Sequence, residues 1–247
     1  MKTATLVLFL AAAVSAQAAG ILAPAGPDPF GYVGAPIPGN LRDLSLGGID
    51  VYLDDDEVSS ALPIGFDFWF YGVKYSEFYI SSNGFLTFLP GQDSGCCSGD
   101  PIPDPGEANA MVAGLWEDLD PYSGGDIHYD TLGPAGSREL VVGFYDVPYF
   151  DSSELVTFEI ILHEGSNNIE FQYGTLGPGD EDQNAIGIEN QTGTVGLQVY
   201  FGPILDREGN VLLSNEGYLI TLVPEPASLT LVGLGLGGLI YLRRRAG

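Results

Sequence analysis

Basic residues are scarce in this chain: 8 lysines and arginines stand against 33 aspartates and glutamates, a formal net charge of −25 at pH 7. Lys2, Arg243, Arg244 and Arg245 lie at the two ends, so the stretch from Ala19 to Pro226 keeps 4 basic residues against 33 acids, a net of −29. That balance argues against nucleic acid as a partner, because no cationic surface is available to displace counterions from phosphate. It also disfavours tight contact with anionic lipid head groups, and suits solubility, mutual repulsion and divalent cations. Histidine is nearly lacking: His128 and His163 both fall in strand-like patterns, and no Gly-x-Ser-x-Gly elbow accompanies them. An imidazole-activated nucleophile therefore has no candidate constellation. The 2 cysteines are neighbours, Cys96-Cys97, and without a second Cys or His pair at ligand spacing a zinc site has no ligand set. Also missing are any helix-length amphipathic pattern between Met111 and Leu222 and any repeat of solenoid or propeller period.

What is present is a β pattern. Phe66, Phe68 and Phe70 alternate with Asp67 and Trp69, the period of two expected of a strand with one buried face. Asn83-Gly84, between Phe78-x-Ile80 and Phe85-x-Thr87, is a strong hairpin signal. Further strands are predicted over Met111–Trp116, Asp126–Thr131, Glu139–Tyr145, Glu154–His163, Asn168–Tyr173, Asn184–Glu189, Thr194–Tyr200 and Tyr218–Leu222. Many short strands between Gly, Asn, Asp and Pro turns predict an all-β fold, an antiparallel β-sandwich spanning 49–222. Residues 19–48, rich in Pro and Gly, read as a linker or an irregular strand-containing edge.

The two ends read as export signals. Residues 1–18 have a positive start at Lys2, an apolar run from Leu6 to Val14 and a small-residue cleavage site, Ala16-Gln17-Ala18, as in a secretory signal peptide. At 223–247 stand Val223-Pro224-Glu225-Pro226, an uncharged run from Ala227 to Leu242 and Arg243-Arg244-Arg245. The run is slightly under the ~17 residues of a spanning helix, and the arginines would hold its end on the cytoplasmic side. Gly233-x-Gly235-x-x-Gly238 within it matches a dinucleotide fingerprint in letters only, lacking the strand, helix and acidic residue that give the motif meaning.

Pro224-Glu225-Pro226, a single hydrophobic transmembrane helix and a terminal Arg cluster resemble the PEP-CTERM sorting signal of Gram-negative bacteria. The resemblance implies recognition by an exosortase, cleavage near Pro224-Glu225-Pro226, transient anchoring in the inner membrane and delivery to the cell surface or exopolysaccharide matrix. A second resemblance lies in the body. Phe66 to Phe88, with Phe70-Tyr71-Gly72 and Ser81-Ser82-Asn83-Gly84-Phe85-Leu86-Thr87-Phe88, is similar to a β-module of secreted bacterial proteins and more distantly to nidogen-like extracellular domains. Trp116 to Pro121 and Gly187 to Gln198 look like its later landmarks, and it implies no activity.

Candidate chemistry is thinly marked. Asp118 and Asp120, two apart, would point the same way in an extended segment, where calcium could bridge them. Asp180-x-Asp182-x-Asn184 opens like a calcium loop, yet Ala185 and Gln191 occupy the positions that need Gly and Glu. For Cys96 and Cys97 a disulfide between neighbours, an intermolecular bridge, and reduced thiols or a metal all stay open in an exported chain. Trp69 falls opposite the three phenylalanines, where it is either covered or exposed as a contact; Tyr71, Tyr75, Tyr79 and the group Tyr145, Tyr149 and Phe150 are the other aromatic candidates. The expected function is a non-catalytic β-sandwich for adhesion or structural association with polysaccharide or other surface proteins, needing no cofactor. The alternatives are a secreted polysaccharide-acting hydrolase, which would use a carboxylate pair, and a calcium-stabilised binding module.

Overall fold

The computed structural model describes residues 22–106, 108–177, 183–204 and 215–223. Every strand in it pairs antiparallel, in two sheets. The larger runs β1 (Tyr32–Pro38), β13 (Glu216–Leu222), β10 (Ile169–Leu176), β9 (Leu155–His163), β8 (Glu139–Pro148), β7 (Asp126–Leu132) and β2 (Ile49–Asp50). The smaller runs β12 (Gly196–Gly202), β11 (Asn184–Glu189), β6 (Met111–Trp116), β5 (Phe85–Thr87), β4 (Val73–Ser81) and β3 (Leu62–Phe70). Among the described residues there is no helix. The eight strands expected from Met111 onward all form, with ends shifted by three residues at most. Of the two forms open to residues 19–48, the described part has the strand-containing edge. Pro36 and Pro38 sit in β1, where the border of a sheet tolerates a missing N–H donor.

One apolar core lies between the sheets. Ile64, Phe66, Phe68 and Phe70 enter it from β3, Phe144 from β8, Phe158 and Ile160 from β9, and Phe171 and Tyr173 from β10. Phe144 and Phe158 stack with ring centroids 4.6 Å apart, and Phe78 meets Tyr129 of the other sheet edge-on at 5.8 Å. Gly114 in β6 sets how closely the layers approach: a Cβ there would stand 2.6 Å from Cγ1 of Ile160, and its carbonyl accepts from the Tyr173 hydroxyl at 2.7 Å. A larger residue would force the layers apart or push side chains off their rotamers.

Part of each outer face is also covered by an irregular segment. Over the larger sheet, Leu44 packs on Val141, Tyr145 and Ile161. The backbone N–H groups of Arg42 and Asp43 each donate to the Glu159 carboxylate at 2.8 Å, and the Tyr145 hydroxyl donates to the same group at 2.7 Å. Three donors satisfy a carboxylate that is otherwise fully buried, which removes most of the cost of placing it there. Beside it the Arg42 guanidinium bridges Glu139 at 3.0 Å and Glu170 at 2.6 Å, and His163 Nε2 lies 3.0 Å from Glu170. His128 Nδ1 lies 2.7 Å from the Leu44 carbonyl. Over the smaller sheet, the segment through Ile102 covers Phe85, Met111, Ala113, Trp116 and Ala185, and the Trp116 indole N–H donates to the Gly95 carbonyl at 2.7 Å. As a result β6 and β11 are buried at every residue.

The cover on the larger sheet has a pH signature. Burial of Glu170 works against its charged form, but hydrogen bonds from His163, Arg42 and Gln172 outweigh it and bring the carboxyl down to about 2. A carboxylate whose folded value is depressed adds stability above its unfolded value of about 4.3, and the contribution is lost as pH falls towards 2. Glu170→Gln is expected to lower stability at pH 7 by about 2–3 kcal/mol. Urea titrations at pH 7 and pH 2.5 check this, with the difference between wild type and variant shrinking at the lower pH.

Candidate functional site

Two surfaces bear on function among those where polar or aromatic side chains gather. The first is built around the β4–β5 turn. Gly84 takes φ +82°, and a Cβ there would lie 1.9 Å from the Leu115 carbonyl oxygen, so the turn is pressed against the end of β6. Asn83 is wholly buried beside it: its carbonyl oxygen accepts from Leu119 N–H at 3.0 Å, and its amide donates to Asp56 at 2.8 Å. The amide therefore holds the acidic loop Asp54-Asp55-Asp56-Glu57 against the segment after β6. That brings carboxylate oxygens of Asp55, Asp56 and Asp118 within 4.8 Å of one another.

Asp118 and Asp120 enter different surroundings. Asp118 joins that group, whereas Asp120 accepts from the backbone N–H and the hydroxyl of Ser123 in a turn of its own. Burial raises the pKa of Asp55, and the charges of Asp56 and Asp120 raise it further. Hard cations are what closely grouped carboxylates can hold, but Asp56 already accepts from Asn83 and from the Ser94 hydroxyl. A raised carboxyl costs stability once pH exceeds its unfolded value, and that cost is absent where both states are protonated. With chelator present, Asp55→Asn is thus expected to raise the melting temperature at pH 7 and leave it unchanged near pH 3. Scanning calorimetry at both pH values checks this, and a repeat in millimolar calcium distinguishes a cation site, which would make the same variant destabilising.

The second surface is an open cleft of about 850 Å³ on the seam between the sheets, lined by Gly65, Asp67 and Trp69 of β3, Arg138, and Glu164 and Asn167 of the β9–β10 turn, among others. The alternation of β3 sends its phenylalanines inward and leaves Trp69 51% exposed. The Trp69 N–H, on a border strand, donates to the Asn167 side-chain carbonyl at 2.8 Å. Arg138 lines the cleft: its guanidinium contacts Glu164 at 2.6 Å, donates to the Gly65 carbonyl and lies 5.6 Å from the centroid of the Phe66 ring. The hydrogen bonds from Arg138 pull the Glu164 carboxyl down to about 2. On the rim Lys74, opposite Trp69 in register, pairs with Asp67 at 3.0 Å. Arg138 thus lines the cleft, and Lys74 reaches it through Asp67. The period-two pattern pointed to Trp69, but Arg138, Glu164 and Asn167 lie in turns that only tertiary structure brings to it.

The other aromatic candidates are mostly interior: Tyr71, Tyr145 and Tyr149 are buried, and Tyr75 stacks on Phe88 at 4.8 Å. Burial and the neighbouring Asp28, to which Tyr71 donates at 2.7 Å, push the Tyr71 hydroxyl well above its usual value. Cys96 and Cys97 are bonded to each other. Asp180, Asp182, Ala16, Ala18, Pro224, Glu225, Pro226, Arg243, Arg244 and Arg245 lie outside the described residues, as does the expected helix from Ala227 to Leu242. Among the described residues no helix is long and apolar enough to cross a membrane.

A two-sheet antiparallel domain with an interior Asn-Gly turn and an open aromatic cleft, ahead of a Pro-Glu-Pro tail, defines the class: a β-module joined to a sorting signal. The chain belongs to the NIDO-related family, which matches residues 38–202. The PEP-CTERM protein-sorting motif matches residues 222–245. No curated protein and no solved structure matches the chain.

Proposed function

We propose that this protein is exported, sorted by an exosortase and left at the cell surface or in the exopolysaccharide matrix, where its β-sandwich serves adhesion or structural association without catalysis. The observation that carries this reading is the sorting motif at 222–245, directly after β13 and downstream of the NIDO-related match at 38–202. The tail is a temporary handle: it holds the chain in the inner membrane until cleavage near Pro224-Glu225-Pro226.

The side chains support a non-catalytic role. A glycosidase needs one carboxyl protonated near its working pH and a second one free. In the open cleft Glu164 is held down at about 2 by Arg138, and Asp67 is paired with Lys74. Both histidines have structural partners, His128 at the Leu44 and Gly47 carbonyls and His163 between Glu139 and Glu170. Each of these groups fixes a segment in place.

Intact mass of the protein recovered from its host, with and without the exosortase, tests the reading. The expected result is a surface or matrix form ending near Pro224-Glu225-Pro226 when the exosortase is present, and a membrane-bound form with its tail when it is absent. Equal masses in both strains, or recovery chiefly from the cytoplasm, would overturn it.

A further inference from the structure

We propose that the Trp69 cleft binds an uncharged polysaccharide, with the indole as a platform for one sugar ring and the surrounding polar side chains as partners for its hydroxyls. This names a ligand for the body read above as an associating module, and it rests on that reading.

The shape of the cleft supports this. It lies on the seam between β3 and the turns of the larger sheet and is open, so a long polymer can cross it without a free chain end. Trp69 is half exposed, although its backbone is locked by Asn167 and its strand neighbours Phe68 and Phe70 are fully buried. An exposed indole on a fixed backbone presents a large apolar surface and loses little conformational entropy on binding. A pyranose offers a matching surface, a face of C–H groups rimmed by hydroxyls. Asp67, Ser76, Asn167 and Glu164 line the same cleft and supply polar groups that can meet the hydroxyls of a sugar.

The charges select the chemical class. Arg138 is neutralised by Glu164 and Lys74 by Asp67, so the cleft has no unpaired cation to hold a uronate, sulfate or phosphate. The body as a whole, 4 basic residues against 33 acids, repels polyanions at long range. A neutral glycan meets neither a repulsive field nor an unmatched charge. A polycation would be drawn to the acidic loops instead.

Trp69 also makes the test direct. The chain has 2 tryptophans, and Trp116 is 1% exposed, so a ligand-induced change in accessible indole emission reports on the cleft. The mature protein recovered from an exporting host would be run in native gels cast with hydroxyethyl cellulose, dextran, galactomannan or alginate, and with the polysaccharide purified from its own host. Retardation is expected in at least one neutral gel and not in alginate, together with a shift in indole emission in solution. Trp69→Ala should weaken the retardation about ten-fold or more, with an unchanged melting temperature, because the bond to Asn167 is made by the backbone. Trp69→Phe, which keeps a ring, should retain part of the binding.

Absence of retardation in every neutral gel, retardation unaffected by Trp69→Ala, or retardation chiefly in alginate would overturn the proposal. So would Trp69-dependent self-association in sedimentation without glycan, which would assign the cleft to a second copy of the chain. Fractionation of the host separates the two levels. Wild-type protein at the surface or in the matrix without glycan binding removes only the ligand, whereas wild-type protein absent from both removes the function on which it rests.

Discussion

The contact between the Asn83-Gly84 turn and the end of β6 is the constraint on which the arrangement depends. Only a residue without a Cβ allows the turn to reach the Leu115 carbonyl, and the Gly84 carbonyl then accepts from both Gly114 and Leu115 N–H at 3.2 Å. The β4–β5 hairpin is thereby fastened to β6 at a point where no water can replace a lost partner. Asn83 extends the tie outward to Leu119 on one side and Asp56 on the other, and Ser82 N–H donates to the Glu57 carbonyl at 2.8 Å. Two loops are thus positioned by one turn, and the acidic cluster is a consequence of it. Because Ser81, Ser82 and Asn83 are all fully buried, each of their polar groups needs a partner inside the protein, and such a network specifies a single geometry.

Much of the fold was legible in the chain. Period-two alternation marked β3, β9 and β10, and turn residues between short apolar runs placed the strands from Met111 to Leu222 within a few residues of their positions. Alternation has a limit, visible in β6 and β11: Met111-Val112-Ala113-Gly114-Leu115-Trp116 is apolar throughout because an irregular segment lies on its outer face. That cover could not be read from periodicity, since Gly- and Pro-rich sequence gives no period whether it lies free or packs on a sheet. The Arg42 cover is the same case. Its content is one leucine, one arginine and two backbone N–H groups, and they acquire meaning only when Glu159 and Glu170 lie beneath them.

The Asn-Gly pair was legible as a hairpin but not as an interior node, because a turn is ordinarily a surface feature. Trp69 was the more readable candidate: strand parity alone put it opposite the core. What parity could not supply was the company it keeps, since Arg138 and Asn167 come from turns 69 and 98 residues further along the chain. Composition held one further clue. Among the described residues the basic ones are Arg42, Lys74 and Arg138, and all three are paired with carboxylates. The acids are numerous enough that sequence alone could not single out a pair.

The placement of β13 ties the two ends of the body together. The last strand is not at a border but lies between β1, which pairs with it at every residue, and β10, which pairs with Gly217 to Ile220. β1 therefore draws its strand partner from the far end of the body, and the ladder between them spans most of the chain. A contact of such separation carries a loop-closure cost that the neighbouring hairpins do not, so the larger sheet gains its β1 border only when the two ends of the domain meet.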